Sequence, residues 1–250
     1  MCLPGLLPPH QPLNLLNVSF QQAGGGYETP DRVTAVQSYR ELRALHPNRP
    51  LALTLVDVTL AELQAQRAQR VRHLLLPAAT VLDDSIGCAV WFAARGRGWD
   101  WETGRPVESA ARVLLLGMGA DELLGGYSRH RATAARDGMT ALAAELKREL
   151  LNIPERNLGR DNRIVADHGV APRFPFLDED LVNFLLSTPV SLRSNYNYER
   201  GIGEKLLLRL AVHRFGLKLT AKEPKRAVQF GSRIAKMENR KEKACDIAKR

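Results

Sequence analysis

The fold of this chain depends on one stretch, Val113-Leu-Leu-Leu-Gly-Met-Gly-Ala-Asp-Glu-Leu-Leu-Gly-Gly-Tyr127. Its opening apolar run, followed by Gly117 and Gly119, is typical of a strand that is buried on both faces of a sheet. The next residues favour a helix, so the stretch predicts a central strand, a tight turn and a helix. The turn would place Asp121 and Glu122 at the carboxyl edge of a parallel sheet, where open α/β folds bind their ligands.

These two carboxylates have two interpretations. Glu122 stands where a Gly-x-Gly-x-x-Gly dinucleotide motif has its third glycine, and two negative charges at that place would repel a pyrophosphate. The pair therefore suits a metal cation or an ammonium group. Alternatively, acids in a first helical turn complement the helix dipole, which stabilises a helix by about 0.3 to 1 kcal/mol for each acid.

Length and composition predict a globular cytoplasmic protein. The 250 residues, of which 44% are apolar, can bury a core as one large domain or two small ones. No segment approaches the roughly 18 apolar residues of a membrane span, and the N-terminus does not resemble a secretory signal, so no membrane association is expected. Cys2, Cys88 and Cys245 have neither disulfide-framework nor zinc-ligand spacing, which predicts thiols.

The net charge of +9 and the pI near 9.8 are compatible with two kinds of partner. The charge is spread along the chain and no aromatic-basic recognition motif accompanies it, so nucleic acid is the less favoured partner. An anionic small ligand explains the charge equally well. The basic end of the chain, residues 238–250, is predicted to be a solvated tail, and residues 1–12, which contain several prolines, are predicted to be an irregular lead-in.

Between these ends, the hydrophobic pattern predicts strands alternating with helices. Strands are predicted at Leu13–Phe20 and Leu51–Val58, and helices from Thr34 towards Pro47, from a capping box at Thr59 and Glu62, and from Asp83-Asp84-Ser85 to Gly96. A loop is predicted from there to about Ser109. Beyond Tyr127, helical periodicity recurs at residues 140–151, 178–187 and 199–215 without a strand between them, which predicts a helical second half.

Three later segments carry side chains suited to chemistry. The run Arg-Phe-Pro-Phe-Leu-Asp at residues 173–178 fixes its backbone with a proline between two aromatic residues. His168 is a candidate general base, although a structural or exposed histidine is the more common case. The basic loop at residues 222–233 suits phosphate oxygens, although a run of charges is more often a solvated face.

Three of these motifs resemble those of asparagine synthetases. Residues 117–127 are similar to that family's Ser-Gly-x-Gly-Ala-Asp-Glu-Leu-Phe-Gly-Gly-Tyr motif, residues 173–178 to its Arg-x-Pro-Phe-Leu-Asp motif, and residues 224–231 to its late lysine motif. The motifs occur in the family's order. The resemblance extends over residues 13–237, which are expected to form the asparagine synthetase-like domain.

The resemblance implies a fold and an activity. The fold is a parallel-sheet ATP-pyrophosphatase (adenine nucleotide alpha hydrolase-like) α/β fold followed by a helical C-terminal layer. Members of the family are ATP-binding ligases of amino-acid biosynthesis and belong to the glutamine amidotransferases. They amidate aspartate to asparagine, with glutamine as the nitrogen donor. The implied small-molecule substrates are aspartate, ATP, and ammonia or glutamine.

The resemblance also implies roles for individual residues. Gly117, Gly119 and Lys225 would bind the nucleotide, and Lys225 would also contact the departing phosphates. Asp178 would face the reacting centre and act in catalysis together with Lys225.

Asp121 and Glu122 would hold Mg2+ or the substrate ammonium. In the reaction that the family carries out, the aspartate carboxylate attacks the α-phosphorus of ATP. Magnesium and a lysine would therefore offset the charge on the leaving pyrophosphate.

Several departures from the family pattern bear on activity. No Ser-Gly-Gly-x-Asp-Ser pyrophosphate loop occurs in the sequence, and Leu13 lies where the family's second strand would be. Leu116 replaces a serine or threonine, and Ala171 stands where the family has glutamate. Cys2 directly follows Met1, which is the position of the catalytic cysteine in the family's glutaminase. Several prolines follow Cys2, so we expect this similarity to be a coincidence. We expect the family activity to be incomplete in this chain, and the alternative is a non-catalytic nucleotide- or protein-binding module or scaffold.

Overall fold

The computed structural model describes residues 7–237, which contain both strands and helices. The strands are β1 (Leu13–Phe20), β2 (Leu51–Val58), β3 (Arg97–Asp100), β4 (Pro106–Glu108), β5 (Val113–Leu115) and β6 (Ala171–Arg173). The helices are α1 (Pro30–Leu45), α2 (Leu60–Gln66), α3 (Arg72–Leu75), α4 (Val81–Ala94), α5 (Ala120–Leu124), α6 (Ser128–Ile153), α7 (Gly159–Ala166), α8 (Glu179–Ser187), α9 (Val190–Arg193), α10 (Leu206–Arg214) and α11 (Val228–Gly231).

The main sheet has the strand order β1-β2-β3-β4 and is mixed. β1 and β2 are parallel along their whole length, whereas β3 is antiparallel to β2 and β4 is antiparallel to β3. The α/β class and the two parallel strands are therefore confirmed, with both strands at their predicted bounds. The hairpin of β3 and β4 lies in the segment predicted to be a loop, because strands of three or four residues are too short to show a period of two.

Two helices of this part of the chain begin earlier than predicted. The side chain of Thr29 accepts a hydrogen bond from Arg32 N, so α1 begins at Pro30 and not at Thr34. The side chain of Thr80 accepts a hydrogen bond from Asp83 N, so Thr80 caps α4 in place of the predicted Asp83. In both cases a threonine just upstream satisfies the first backbone N–H groups of the helix.

The segments after Tyr127 are mainly helical, as predicted. α6 is longer than the predicted 140–151 and is broken at Gly138, whose φ is 82° and ψ is 177°. α8 begins directly after Asp178, as predicted. α10 begins at Leu206, seven residues later than the predicted 199, because the preceding segment forms a loop. The short strand β6 interrupts the helices, against the prediction that no strand lies between them.

The apolar run that predicted a central strand does form a strand, β5, but not one within the main sheet. β5 pairs with β6 in a separate two-stranded sheet. Val113 is 49% exposed and Leu115 is 42% exposed, so the prediction of a strand buried on both faces is wrong. An apolar run indicates that a segment can form a strand, but it does not determine how many strands or helices pack against that strand.

Contacts between residues divide the chain into two compact units. One unit comprises Leu115–Leu158 and Arg173–Lys225, and the other comprises, within the described part, residues 7–114, 159–172 and 226–237. A single domain over 13–237 stays a prediction. The predicted tail at 238–250, the first half of the predicted lead-in at 1–12, and the cysteines Cys2 and Cys245 lie outside the described residues.

Each unit has its own apolar interior. In the first unit, Leu123, Leu124 and Leu185 form one buried cluster and Leu142, Leu146 and Val190 form another. In the second unit, the fully buried residues include Phe20 and Phe92, whose rings meet edge to face, and Cys88 is a buried thiol. Among residues 7–237, no helix combines the length and the hydropathy needed to cross a membrane.

A buried ionic cluster holds α7 against α4 in the second unit. The Arg160 side chain, which is 3% exposed, donates hydrogen bonds to Asp83 Oδ1 at 2.7 Å and to Asp161 Oδ1 at 2.8 Å. Asp161 is fully buried, and burial raises its pKa, although the neighbouring guanidinium favours the charged carboxylate. One fully buried carboxylate and one partly buried carboxylate thus share one arginine.

We expect Arg160→Met to lower the free energy of unfolding by about 3 to 5 kcal/mol, because it leaves the buried Asp161 without its counter-charge. Urea titration monitored by circular dichroism measures this loss. Arg136→Met is the matched control, because the Arg136 side chain is 74% exposed and pairs with the adjacent Asp137. The control should keep the wild-type midpoint, and equal midpoints for both variants would contradict the role of the cluster.

Candidate functional site

The candidate site is built around α5, in the first unit. Gly119, directly before α5, has a φ of 91°, a left-handed conformation that glycine adopts without steric cost. A Cβ atom at Gly119 would also overlap the side chain of Leu177. The turn lets the chain enter α5 sharply, and it places Asp121 and Glu122 in the first turn of the helix, as predicted.

A close approach of the backbone fixes the Asp121 side chain. A Cβ atom at Gly126 would overlap Asp121 Oδ1, so the carboxylate lies directly against the glycine backbone. The same segment returns to the helix through a hydrogen bond from Gly126 N to the Asp121 carbonyl, at 2.9 Å. The Gly-Gly pair that follows α5 therefore leaves space for the carboxylate.

The Asp121 carboxylate lies between two lysines. Its Oδ1 is 3.0 Å from Lys205 Nζ, and its Oδ2 is 3.6 Å from Lys225 Nζ. The three side chains are each about one-fifth exposed (20%, 20% and 21%), so solvent screens this group only partly. One negative charge faces two positive charges, which leaves a net positive charge at the start of a helix.

Glu122 is engaged differently from Asp121. Glu122 is 8% exposed, and its Oε1 accepts a 2.5 Å hydrogen bond from the Tyr127 hydroxyl. Burial, and then the charge of Glu122, raise the pKa of Tyr127 far above its usual range, so the phenol keeps its proton and donates. The two acids of the motif thus have separate partners.

Three cationic or polar side chains lie close to the Tyr127 ring. Lys225 Nζ lies 4.7 Å from the ring centroid, the Arg129 guanidinium carbon lies 4.0 Å from it, and the His130 ring lies 5.1 Å from it. Cations over an aromatic face are attracted by its quadrupole. Tyr127 therefore connects Glu122 with Lys225, which also contacts Asp121.

Lys205 was not predicted from the sequence. It has a φ of 54°, a left-handed conformation that is uncommon outside glycine, and its N–H donates to the Leu124 carbonyl at the end of α5. In the sequence, Lys205 lies inside a segment predicted to be helical, 199–215, where no periodic pattern marks such a residue. Only the backbone reversal before α10 directs its ammonium group to Asp121.

The remaining predicted residues have simpler surroundings. A Cβ atom added to Gly117 would meet no other atom within 4 Å, so packing within the described residues does not require a glycine there. The Asp178 carboxylate is exposed and accepts hydrogen bonds from Asp180 N and Leu181 N, which makes it the N-cap of α8. Its predicted catalytic role stays a prediction, as do the nucleotide contacts of Gly117 and Gly119.

A sequence model described as asparagine synthase matches residues 103–152 and 134–245 of this chain. The chain belongs to the asparagine synthase family. The matched region contains α5 together with Lys205 and Lys225, so the family resemblance noted in the motifs is confirmed for the part of the chain that carries the candidate site.

Three curated relatives illustrate the similarity. Asparagine synthetase domain-containing protein 1 of Bos taurus is 52% identical over 225 residues, which cover 89% of this chain and 35% of the relative. Asparagine synthetase domain-containing protein CG17486 of Drosophila melanogaster is 41% identical over 92% of this chain and 41% of the relative. Putative asparagine synthetase [glutamine-hydrolyzing] 1 of Methanocaldococcus jannaschii is 41% identical over 86 residues, 34% of this chain. The chain therefore spans little more than a third of the length of the first of these relatives.

A second cluster of ionisable residues lies next to the candidate site around α5. His130, Glu145 and Glu149 have potential ligand atoms within 4.8 Å of one another. His130 Nδ1 accepts from Tyr127 N, so Nε2 carries the proton and donates to Glu149 Oε2 at 2.9 Å. Arg129 also donates to Glu149. Hydrogen bonds thus join His130 to Glu149 and to Tyr127 N, and Glu145 pairs with Arg129 at 3.6 Å.

His168, the candidate general base, belongs to the second unit and has structural contacts. Its Nε2 bonds to the Trp91 carbonyl at 3.0 Å, and its ring packs on the Trp91 ring. Burial lowers the pKa of His168, which favours the neutral imidazole. Asp167, its neighbour, accepts from Trp91 Nε1 and from Arg70. The structural interpretation of His168 is therefore the better supported one.

We expect Tyr127→Phe to lower the free energy of unfolding by about 1 to 3 kcal/mol, because the buried Glu122 carboxylate loses its hydroxyl donor while the ring remains. Chemical denaturation measures the loss, with the exposed Tyr198 as the matched control in Tyr198→Phe. In a double-mutant cycle with Glu122→Gln, the two changes should be non-additive. Strict additivity would show that the hydrogen bond contributes nothing.

Proposed function

We propose that this chain contributes the synthetase site of an enzyme that amidates aspartate to asparagine with ATP, with glutamine as the nitrogen donor of the whole protein. The domain would have the parallel-sheet ATP-pyrophosphatase fold of the family. The observation that carries the proposal is the Asp121 carboxylate held between Lys205 and Lys225 at the start of a helix. Membership of the asparagine synthase family supports the choice of reaction.

The chemistry of the first step requires positive charge. A carboxylate oxygen of aspartate would attack the α-phosphorus of ATP, and the bond from that phosphorus to the bridging oxygen would break, so pyrophosphate leaves with additional negative charge. Lys205 and Lys225 are compact cations suited to phosphate oxygens. We assign both to the phosphates, for which they would exchange their present contacts with Asp121.

The residues of the site fit Mg2+ through Asp121. Asp121 Oδ1 is buried and, apart from its ion pair with Lys205, accepts no hydrogen bond among residues 7–237. Magnesium is commonly bound through one or two carboxylates together with substrate phosphates. When bound, the ion would neutralise charge on the leaving pyrophosphate. Glu122 stays a predicted metal residue, and its Oε1 accepts a hydrogen bond from the Tyr127 hydroxyl.

Two other residues have supporting geometry for the proposed site. The open space at the Gly117 Cβ position would allow a nucleotide to approach the backbone closely. Asp178 is exposed at the start of α8, directly after the Arg-Phe-Pro-Phe-Leu run. We keep it as a candidate for the reacting centre, with the helix cap as its present role.

We expect Lys205→Met and Lys225→Met each to weaken pyrophosphate binding by about 10- to 100-fold, since each removes a charge-assisted contact of about 1.5 to 3 kcal/mol. Isothermal titration calorimetry with pyrophosphate and Mg2+ measures the affinity. Methionine keeps most of the apolar stem of lysine.

Lys222→Met is the matched control, because Lys222 is an exposed lysine of the same basic segment. Its affinity should match that of the wild type. Equal losses in all three variants would indicate a diffuse positive field in place of a built phosphate site, and unchanged affinity at Lys225 would contradict its assignment.

We further expect these 250 residues by themselves not to catalyse aspartate-dependent exchange of labelled pyrophosphate into ATP. The sequence contains no Ser-Gly-Gly-x-Asp-Ser loop, whose backbone N–H groups would bind phosphate, and Leu116 brings no hydroxyl. The comparison is a chain extended by a strand, that loop and a helix. Exchange only after extension would support the proposed enzyme, exchange without extension would contradict this prediction, and pyrophosphate binding without exchange in either form would favour a nucleotide-binding module.

A further inference from the structure

Arg209, on α10, donates three hydrogen bonds to backbone carbonyl groups of two loops in the first unit. Its Nε bonds to the Glu204 carbonyl at 2.7 Å. Its Nη1 bonds to the Ala221 carbonyl at 2.7 Å and to the Glu223 carbonyl at 2.8 Å. Arginine has five N–H donors in a planar fork, so one side chain can bind several carbonyl groups with fixed relative positions.

The first of these bonds lies next to Lys205. The Glu204 carbonyl belongs to the peptide group that precedes Lys205, whose own N–H donates to the Leu124 carbonyl. Lys205 has a left-handed conformation at a φ of 54°. Such a conformation costs on the order of 1 to 3 kcal/mol outside glycine, and it persists only where surrounding contacts hold it. Arg209 Nε supplies one of these contacts.

The other two bonds lie next to Lys225. Glu223 is separated from Lys225 only by Pro224, whose ring fixes its φ and leaves little freedom between the bound carbonyl and the lysine. The Ala221 carbonyl lies in the turn just before this segment, at Thr220–Lys222. Arg209 Nη1 therefore holds the short segment from which the Lys225 side chain extends to Asp121.

We propose that Arg209 is a positioning residue that sets Lys205 and Lys225 together, so that both ammonium groups are held on the Asp121 carboxylate and presented as one phosphate-binding pair. The phosphate part of this inference rests on the proposed function, whereas the coupling of the two lysines does not. Arg209→Lys would keep the charge, but it would replace the planar guanidinium fork by a single ammonium group that cannot bind the three carbonyl groups from the same positions.

Competitive acetylation tests the coupling without any nucleotide. The 250-residue chain is treated with trace acetic anhydride, and the rate at each lysine is measured by mass spectrometry. In the wild type, Lys205 and Lys225 should react more slowly than the exposed Lys222, because their side chains are only 20% and 21% exposed and lie against the Asp121 carboxylate. In Arg209→Lys and in Arg209→Gln, both rates should rise together towards the rate of Lys222, because neither ammonium group is then held against Asp121.

The matched control is Arg136→Lys, which alters an exposed arginine of the same unit and should leave all three rates unchanged. A rise at only one of the two lysines, or at neither, would overturn the proposal. Thermal unfolding is recorded for every variant. Loss of cooperative unfolding in both Arg209 variants would also overturn it, because a residue that the whole unit needs for folding is not specific to the lysines.

Pyrophosphate titration separates the coupling from the proposed function. If the wild type binds pyrophosphate, Arg209→Lys should weaken binding by about tenfold while the Arg136 variant does not, and equal affinities for the wild type and the Arg209 variant would overturn the phosphate part of the proposal. If neither the wild type nor the extended chain binds pyrophosphate, the proposed function fails. The acetylation rates then still confirm or overturn the coupling.

Discussion

The candidate site depends on one electrostatic arrangement, the Asp121 carboxylate between the ammonium groups of Lys205 and Lys225. The carboxylate neutralises only one of the two cations, so the group keeps a net positive charge in partly desolvated surroundings. The lysines and the carboxylate of this group can each bind part of a metal–phosphate ligand. Lysine side chains suit phosphate oxygens. The Asp121 carboxylate, whose Oδ1 has only an ion pair with Lys205 among the described residues, suits a divalent cation that accompanies the phosphates.

The backbone around Asp121 explains why the arrangement is possible. Glycines on both sides of α5 adopt left-handed conformations, and the absence of a side chain at Gly126 leaves room for the carboxylate. Lys205 adopts a left-handed conformation without being a glycine. Strained residues of this kind persist where neighbouring contacts hold them, and they are concentrated at functional sites. The hydrogen bond from the Arg209 side chain to the Glu204 carbonyl and the bond from Lys205 N to the Leu124 carbonyl are two of the contacts that hold Lys205.

The sequence predicted the regular elements best where the chain is long and periodic. β1 and β2 have the predicted bounds because eight-residue strands show a clear apolar pattern, and α8 begins after Asp178 because an aspartate is a strong N-cap. The hairpin of β3 and β4 was missed because strands of three or four residues show no usable period. The burial of β5 was wrong because the number of strands beside it is a property of the whole fold.

For the site, the sequence by itself determined the family, the acidic pair after the glycine turn, and Lys225 as a candidate cation, because these residues lie in short contiguous motifs. The tertiary structure decided the rest. It separated the roles of the two acids, giving Asp121 to the lysines and Glu122 to Tyr127, and it added Lys205 and Arg209. Those two residues depend on a backbone reversal and on hydrogen bonds to distant carbonyl groups, and such contacts leave no periodic pattern in the sequence because any residue offers a backbone carbonyl.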